Sequence, residues 1–392
     1  MSKKLISKLL FPSLSRVIKK KNIIFFFIDK EQTWGGNLRA LFEHIYQKGK
    51  FKTIIINNGI TPNTYIQSMY SKTEVYSTLP KNKILDALKA KVFIITHGKK
   101  PLLGWFTGIR GYKLVNVWHG IPIKAVGNLQ KNYTEKGFKK TYKRSQDYDL
   151  FCCSSNTDKA IMSACQLLHG NKLSITGIPK TDWLLCNENK LPKDYIEDLR
   201  RIKESTKGKK LVFYAPTFRD DPNDDYFFSD NEIGSLVKYL DQNNLILGVR
   251  YHGVALQNNF RAKHQRLIKN NSIIDLGADQ YSESNIILRQ TSILICDYSS
   301  IFVDYLLLDR PIIRFAYDLN KYKKSRGLLY NYEKVLPGQI TYSIEDIKSN
   351  IDDQLVSNLK EEYNAKWIFH HFTDDQSCQR IYDEILTMTG NI

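Results

Sequence analysis

Asp297-Tyr298-Ser299-Ser300 closes a short apolar run, Ser292 to Cys296, and opens a polar stretch that carries on to Asp304. The run reads as a buried parallel strand and the stretch as the start of a helix, with Ser299 or Ser300 at the N-cap. The first turn of a helix leaves backbone N–H groups without intrahelical partners and carries the positive end of the dipole, which suits a phosphate. The serine hydroxyls add donors, and Asp304 is placed to accept from a sugar hydroxyl. That is chemistry for a nucleotide diphosphate. The same residues also make an ordinary cap before a packed helix, so the other motifs must weigh between the two readings.

Val117-Trp118-His119-Gly120-Ile121-Pro122-Ile123-Lys124 comes directly after an apolar run. Gly120 permits a tight turn and Pro122 stiffens the residues beyond it, so the His119 imidazole is presented at a strand end. There it can take a proton from an attacking hydroxyl near neutral pH, or be satisfied by backbone groups in a packed turn. Lys124 is a phosphate contact or a solvated lysine. Arg219, in Tyr214-Ala215-Pro216-Thr217-Phe218-Arg219-Asp220, offers a bidentate contact to a phosphate or a salt bridge to Asp220 or Asp221. Arg250 and His252 lie two apart in Leu247-Gly248-Val249-Arg250-Tyr251-His252-Gly253, so an extended strand points both to one face as a cationic pair. Arg326-Gly327, in a basic stretch, fits close approach to an anion or a solvated loop.

These side chains need a scaffold of strand ends. Short β-rich runs alternate with longer helical stretches from Asn22 onward, the pattern of an α/β fold with parallel sheets. Strands are predicted at Ile23–Ile28, Thr53–Ile56, Val92–Thr96, Leu114–Val117 and Leu150–Cys153. A second series is predicted at Leu211–Tyr214, Leu245–Tyr251, Ser272–Leu276, Ser292–Cys296 and Pro311–Phe315. Two Rossmann-like domains facing across a cleft fit best, with ligands at the strand C-termini. The expected division is 1–21 as a basic amphipathic segment, 22–180 as the acceptor domain, 181–345 as the donor domain, and 346–392 as C-terminal helices that pack back on the first domain.

The net charge of +18 over 392 residues points to an acidic partner. The acidic run Asp220–Asp225 reads as a surface loop. Six cysteines have no metal-ligand spacing, and no Walker loop, GxGxxG, HExxH, GxSxG or CxxC pair occurs. No metal and no cofactor is expected. No nucleic-acid motif is visible, so nucleic acid is not expected as a partner. Leu5, Ile6, Leu9, Leu10, Phe11, Val17 and Ile18 are interleaved with lysines and Arg16, as in a segment lying on an anionic membrane surface. No apolar run approaches the roughly 20 residues of a membrane span.

Taken in order, VNVWHGIPIKAVG, TGIPKTDWLL, FYAPTFRDD, LGVRYHG, ICDYSSIFVDYLLLDRPIIRFAYD and YKKSRGLLYNYE resemble the CDP-glycerol glycerophosphotransferase family, the teichoic acid primases and polymerases of bacteria. WGGNLRAL near Trp34 is also similar to that family's first domain. The resemblance implies a GT-B fold and metal-independent transfer of a polyol phosphate from CDP-glycerol or CDP-ribitol to a lipid-linked saccharide or polymer, at the cytoplasmic face of the cell membrane. It implies that His119 deprotonates the acceptor hydroxyl and that His252 sits by the donor phosphates. Ser299, Ser300 and Asp304 would hold the pyrophosphate and donor hydroxyls, with Arg219 and Arg326 around them. Ile121, Gly253 and Gln339 depart from the family pattern, where threonine, proline and proline are usual. The competing readings are a GT-B glycosyltransferase using a nucleotide sugar, and a basic binding protein without catalysis.

Overall fold

The computed structural model describes residues 3–30, 32–98, 102, 104–357 and 365–391. Residues 1–2 of the predicted basic segment, and 358–364 and 392 of the predicted C-terminal helices, lie outside the described residues. The chain forms two compact units. The first contains residues up to His119, Tyr133–Asp182 and His370–Ile392; the second contains Gly120–Asn132 and Trp183–Phe369.

Thirteen strands are described: β1 Lys21–Ile28, β2 Lys52–Asn57, β3 Glu74–Tyr76, β4 Ala90–Ile95, β5 Lys113–Asn116, β6 Leu150–Cys153, β7 Leu173–Ile175, β8 Lys210–Ala215, β9 Leu245–Val249, β10 Ile273–Asp275, β11 Thr291–Cys296, β12 Ile312–Phe315 and β13 Gln339–Thr341. The first unit holds a seven-stranded sheet in the order β3-β2-β1-β4-β5-β6-β7, the second a six-stranded sheet in the order β10-β9-β8-β11-β12-β13. Strand pairing is parallel throughout both sheets. Each order is doubly wound. The direction of winding reverses between β1 and β4 in one unit and between β8 and β11 in the other, and crevices for ligands open at those switch points.

The strands are apolar on both faces because helices cover both faces of a parallel sheet. Ile23 to Ile28 are all buried. Phe25 and Phe27 each pack edge to face on Phe93 and Phe106, with Phe27 and Phe106 centred 4.9 Å apart, an arrangement that suits the aromatic quadrupole. In the second unit Val212, Tyr214, Leu247, Val249, Ile293 and Ile295 meet Ile233, Leu236 and Leu240. Those last three recur at helical spacing in the helix Asp230–Gln242, which starts with a capping box formed by Ser229 and Glu232.

At the N-terminus a helix spans Lys3–Val17. Phe11 and Ser15 are buried, and the Ser15 hydroxyl accepts from the Arg110 N–H at 3.1 Å. Leu9, Leu10, Leu14 and Val17 are exposed, Val17 at 80%. At the other end, the Asp182 carboxylate accepts from the N–H groups of Ser377 and Cys378 at 2.9 and 2.7 Å. It thereby caps the helix Ser377–Thr389 onto the first unit. Burial pushes the Asp182 carboxyl up to about 6, against the pull of those N–H groups. All six cysteines are buried and none forms a disulfide.

Candidate functional site

In the first unit the chemistry lies past the ends of β4 and β5. Asn116, the last residue of β5, turns its side-chain oxygen to the Trp118 N–H at 2.9 Å and its amide nitrogen to the His97 carbonyl at 2.9 Å. Asn37, in the first turn of the helix Gly36–Lys48, donates to the carbonyls of Val117 and Trp118 at 2.9 and 3.1 Å. Its side-chain oxygen accepts from the Lys180 N–H. Trp118 between them has φ +50°, a left-handed conformation unusual for a bulky residue. His119 comes next. Its Nδ1 lies 3.4 Å from the Thr96 carbonyl. A carbonyl only accepts, so Nδ1 carries the proton and the neutral ring keeps its lone pair on Nε2. The His119 ring is stacked on that of His97, with centroids 3.9 Å apart and planes 2° from parallel. Sequence reasoning missed His97, although Thr96-His97-Gly98 closes a strand as plainly as Trp118-His119-Gly120 does.

In the second unit the crevice between β8 and β11 is laced by a buried cation. Arg219 is 5% exposed. Its Nε and Nη2 donate to Asp318 at 2.7 and 3.0 Å, and Nη1 pairs with Asp297 at 2.9 Å and donates to the Thr217 carbonyl. Tyr298, Tyr317 and Tyr322 surround the guanidinium with ring centroids 5.0 to 5.1 Å away. Burial works against its charge, and Asp297 and Asp318 more than offset that cost. Of the two sequence expectations the structure shows the salt bridge, made to Asp318 and Asp297 rather than to Asp220 or Asp221, and four of the five guanidinium N–H groups are engaged in tying the loops after β8, β11 and β12 together. Asp297 in turn accepts from the N–H groups of Thr217 and Tyr298, which fixes the start of the Ser299-Ser300 turn.

That turn differs from the expected helix N-terminus. The helix Ile301–Tyr305 has five residues before it tightens into a 3₁₀ turn, so its dipole is small. Ser300 occupies the N-cap in a helical conformation and makes no capping hydrogen bond through its side chain. Ser299 Oγ is 3.5 Å from the Ile301 N–H. Both serines are partly exposed. Asp304 is 0% exposed, so its carboxylate is turned into the protein rather than presented at the surface.

Less deeply buried cations come from elsewhere. Ala125 donates to the Gly327 carbonyl and Leu329 to the Ile123 carbonyl, so the segment after His119 is clipped to the loop that carries Arg326. This brings Lys124 Nζ 4.7 Å over the Phe218 ring, on which His252 also packs at 4.8 Å. Arg326 Nη1 bonds both oxygens of Asp220 at 2.5 and 2.7 Å. The acidic run thus does more than line a surface loop, and Asp225 also accepts from the Arg219 N–H. Burial and the Arg326 charge hold the Lys124 ammonium below the usual lysine range. Packing and the Lys124 and Arg250 cations do the same to the His252 imidazole.

Arg250 parts from His252. Strand β9 ends at Val249, and the Arg250 guanidinium donates to the carbonyls of Tyr281 and Leu276 at 2.6 and 3.2 Å, so the shared face of an extended strand is not available to the two. Gly253, where the resembled family carries proline, has φ +83°; proline is locked near −65° and cannot adopt it. Ile121 is buried, and Gln339 opens β13.

The family model for CDP-Glycerol:Poly(glycerophosphate) glycerophosphotransferase matches residues 9–387. The chain is 28% identical to a teichoic acid glycerol-phosphate transferase of Staphylococcus aureus over 98% of both proteins. It is 25% identical to a teichoic acid ribitol-phosphate polymerase of the same organism, covering 93% of the chain and 62% of that longer protein. Among solved structures, the wall teichoic acid polymerase TagF superposes with a TM-score of 0.79 over 99% of this chain and 93% of that one, at 20% identity. That likeness carries the fold, the GT-B class of two Rossmann-like domains.

Proposed function

The chain belongs to the CDP-glycerol:poly(glycerophosphate) glycerophosphotransferase family, and from that premise we propose that it transfers glycerol phosphate, or a related polyol phosphate, from a CDP-linked donor to a hydroxyl of a membrane-linked acceptor in teichoic acid or capsule assembly. The acceptor oxygen attacks the phosphorus distal to cytidine. A new O–P bond forms, the bridging P–O bond breaks, the hydroxyl proton passes to His119 Nε2, and CMP leaves with the bond's electron pair.

The observation that carries this reading is Lys124 and His252 packed on Phe218 in the second unit, with Arg326 on the loop clipped to the Lys124 segment. Burial first, and neighbouring cations after it, lower the pKa of Lys124 and of His252, as for cations held close for an anion. A diphosphate relieves that repulsion, and its charge build-up in the transition state is met by fixed positive groups. In this reading Ser299 and Ser300 add hydroxyl donors for the pyrophosphate. Arg219, Arg250 and Asp304 support the site from within: Arg219 through Asp297, Arg250 through the carbonyls it binds and the charge it sets near His252, and Asp304 through packing of the turn.

The outward row of Leu9, Leu10, Leu14 and Val17, with Lys8, Arg16 and Lys19 nearby, supports docking on an anionic membrane surface where a lipid-linked acceptor resides. No helix among the described residues is long and apolar enough to cross a membrane; the docking proposed is with the surface alone.

Mass spectrometry of products from CDP-glycerol, CDP-ribitol and UDP-sugars on a synthetic lipid-linked acceptor tests the function. Increments of glycerol phosphate or ribitol phosphate are expected. A hexose increment, or none with any donor, overturns it.

A further inference from the structure

His97 and His119 follow different strands, β4 and β5, and meet ring to ring, with centroids 3.9 Å apart and a 2° angle between planes. We infer that His97 is a positioning residue for His119: a neutral imidazole that fixes the plane of the base and keeps a second cation from forming beside it when His119 takes the acceptor proton. The inference rests on His119 being that base.

The surroundings of His97 select the neutral ring. The Gln32 amide nitrogen lies 2.5 Å from His97 Nδ1 and 3.2 Å from Nε2. An amide nitrogen only donates, whereas an imidazolium presents N–H groups at both positions. Protonating His97 therefore turns a hydrogen bond into a clash of donors. Thr96 Oγ1 lies 2.9 Å from Nδ1 and adjusts its hydroxyl to either role. Burial also lowers the His97 pKa, opposed by Asp29 at the end of β1. The other polar and charged neighbours are Tyr148, whose hydroxyl faces the His97 carbonyl at 3.5 Å, and Arg144, whose guanidinium lies beside Gly98.

The backbone is arranged to the same end. One buried side chain, Asn116, holds both the His97 carbonyl and the Trp118 N–H. Asn37 holds the carbonyls on the other side of the left-handed Trp118. The two histidine-bearing turns are thus locked to each other before either ring is considered. A neutral ring stacked on a developing imidazolium stabilises it through its π face; a second imidazolium at that distance repels it.

The test is steady-state CMP release from CDP-glycerol with the synthetic lipid-linked acceptor, measured across about pH 5.5 to 8.5 for wild type, His97→Ala, His97→Phe, Gln32→Leu and His119→Ala. His97→Ala is expected to lose on the order of 10²-fold in kcat, the scale of a misplaced catalytic group, with the donor KM little changed. His97→Phe restores the stack and recovers most of that loss. Gln32→Leu removes the amide that disfavours protonated His97, so the pair takes up its first proton at higher pH and the acid limb of kcat moves upward. A His97→Ala enzyme with wild-type kcat beside an inactive His119→Ala overturns the inference and leaves the base intact. Activity retained in His119→Ala overturns the base itself. Should His97→Ala fail to fold, an acid limb unmoved in Gln32→Leu is sufficient to reject the role.

Discussion

Gly120 lies against Ser300: a Cβ built at position 120 stands 2.9 Å from the serine Oγ and 3.3 Å from its Cβ. The residue next to His119 in sequence is therefore in van der Waals register with the Asp297–Ser300 turn, and only a hydrogen at that position leaves the serine where it is. Gly120→Ala is expected to push Ser300 aside and raise the donor KM about tenfold, the loss of roughly one charge-assisted hydrogen bond. Gly120→Ala combined with Ser300→Gly removes the clash. In a double-mutant cycle the pair is then less impaired than the sum of the singles; strict additivity refutes the contact.

His119→Ala removes the proposed base. General acid–base assistance is worth about 10² to 10⁴ in rate, so turnover falls by that order. CDP-glycerol binding, measured by calorimetry, stays near the wild-type value, because the cations around Phe218 are untouched. Unchanged turnover eliminates the assignment.

Arg219→Ala leaves Asp297 and Asp318 as buried carboxylates without their cation. Breaking a buried ion pair on one side costs about 3–5 kcal/mol, which denaturant unfolding will register as a large drop in midpoint. Arg219→Lys is nearly as damaging, since an ammonium cannot donate at once to Asp318 through two nitrogens and to Thr217 through a third. A variant with wild-type stability and weakened donor binding alone would return Arg219 to direct phosphate contact.

His252 has its pKa lowered in the folded protein. Below its ordinary value of about 6.5 the unfolded chain binds more protons than the folded one, so this group makes stability decline as pH falls through that region and contributes no slope well above it. A bound diphosphate reverses the electrostatics and raises the pKa. CDP-glycerol binding should therefore take up protons near pH 6, seen by calorimetry in two buffers of different ionisation enthalpy. The uptake should shrink in His252→Gln; equal uptake in both proteins excludes this residue as its source.

Replacing Leu9, Leu10, Leu14 and Val17 with serine leaves the buried Phe11 and Ser15 in place. Thermal stability should shift little, while partition onto vesicles containing phosphatidylglycerol falls at least about tenfold, given roughly 1.5–3 kcal/mol for each large apolar side chain fully transferred. Salt should weaken wild-type partition as well. Equal sedimentation with vesicles for both proteins rules out this helix face.

The ten predicted strands all appear, nine of them four to eight residues long; the tenth, Ile273–Asp275, has three and was legible because Leu276 extends its apolar run. The three strands missing from the sequence reading, Glu74–Tyr76, Leu173–Ile175 and Gln339–Thr341, have three residues each. Docking against a neighbour defines them, and no periodicity survives in so short a span. The turn at Ser299 and Ser300 was legible from the strand before it. The ion-pair partner of Arg219 was not legible for a physical reason: Asp318 lies 99 residues away, while the arginine's sequence neighbour Asp220 bonds Arg326 instead. Asp304 did carry a signal. A short helix whose other residues are all apolar or aromatic, as in Ile301-Phe302-Val303-Asp304-Tyr305, is a buried one.

The division of the chain between its two units has a consequence for how the protein comes into being. Gly120–Asn132 is synthesised in the middle of the first unit yet belongs to the second, and His370–Ile392 is synthesised after the second unit yet belongs to the first. The first unit therefore waits for a part made out of turn, while the second begins with a part made early. On the ribosome the first unit lacks the helix that Asp182 caps until Ser377–Thr389 emerges, and a gene cut at any single point yields no two fragments that are each whole. Cells that make this protein must carry its early half unfinished, with part of its apolar surface uncovered, for the time it takes to translate some two hundred residues at about 5–20 per second.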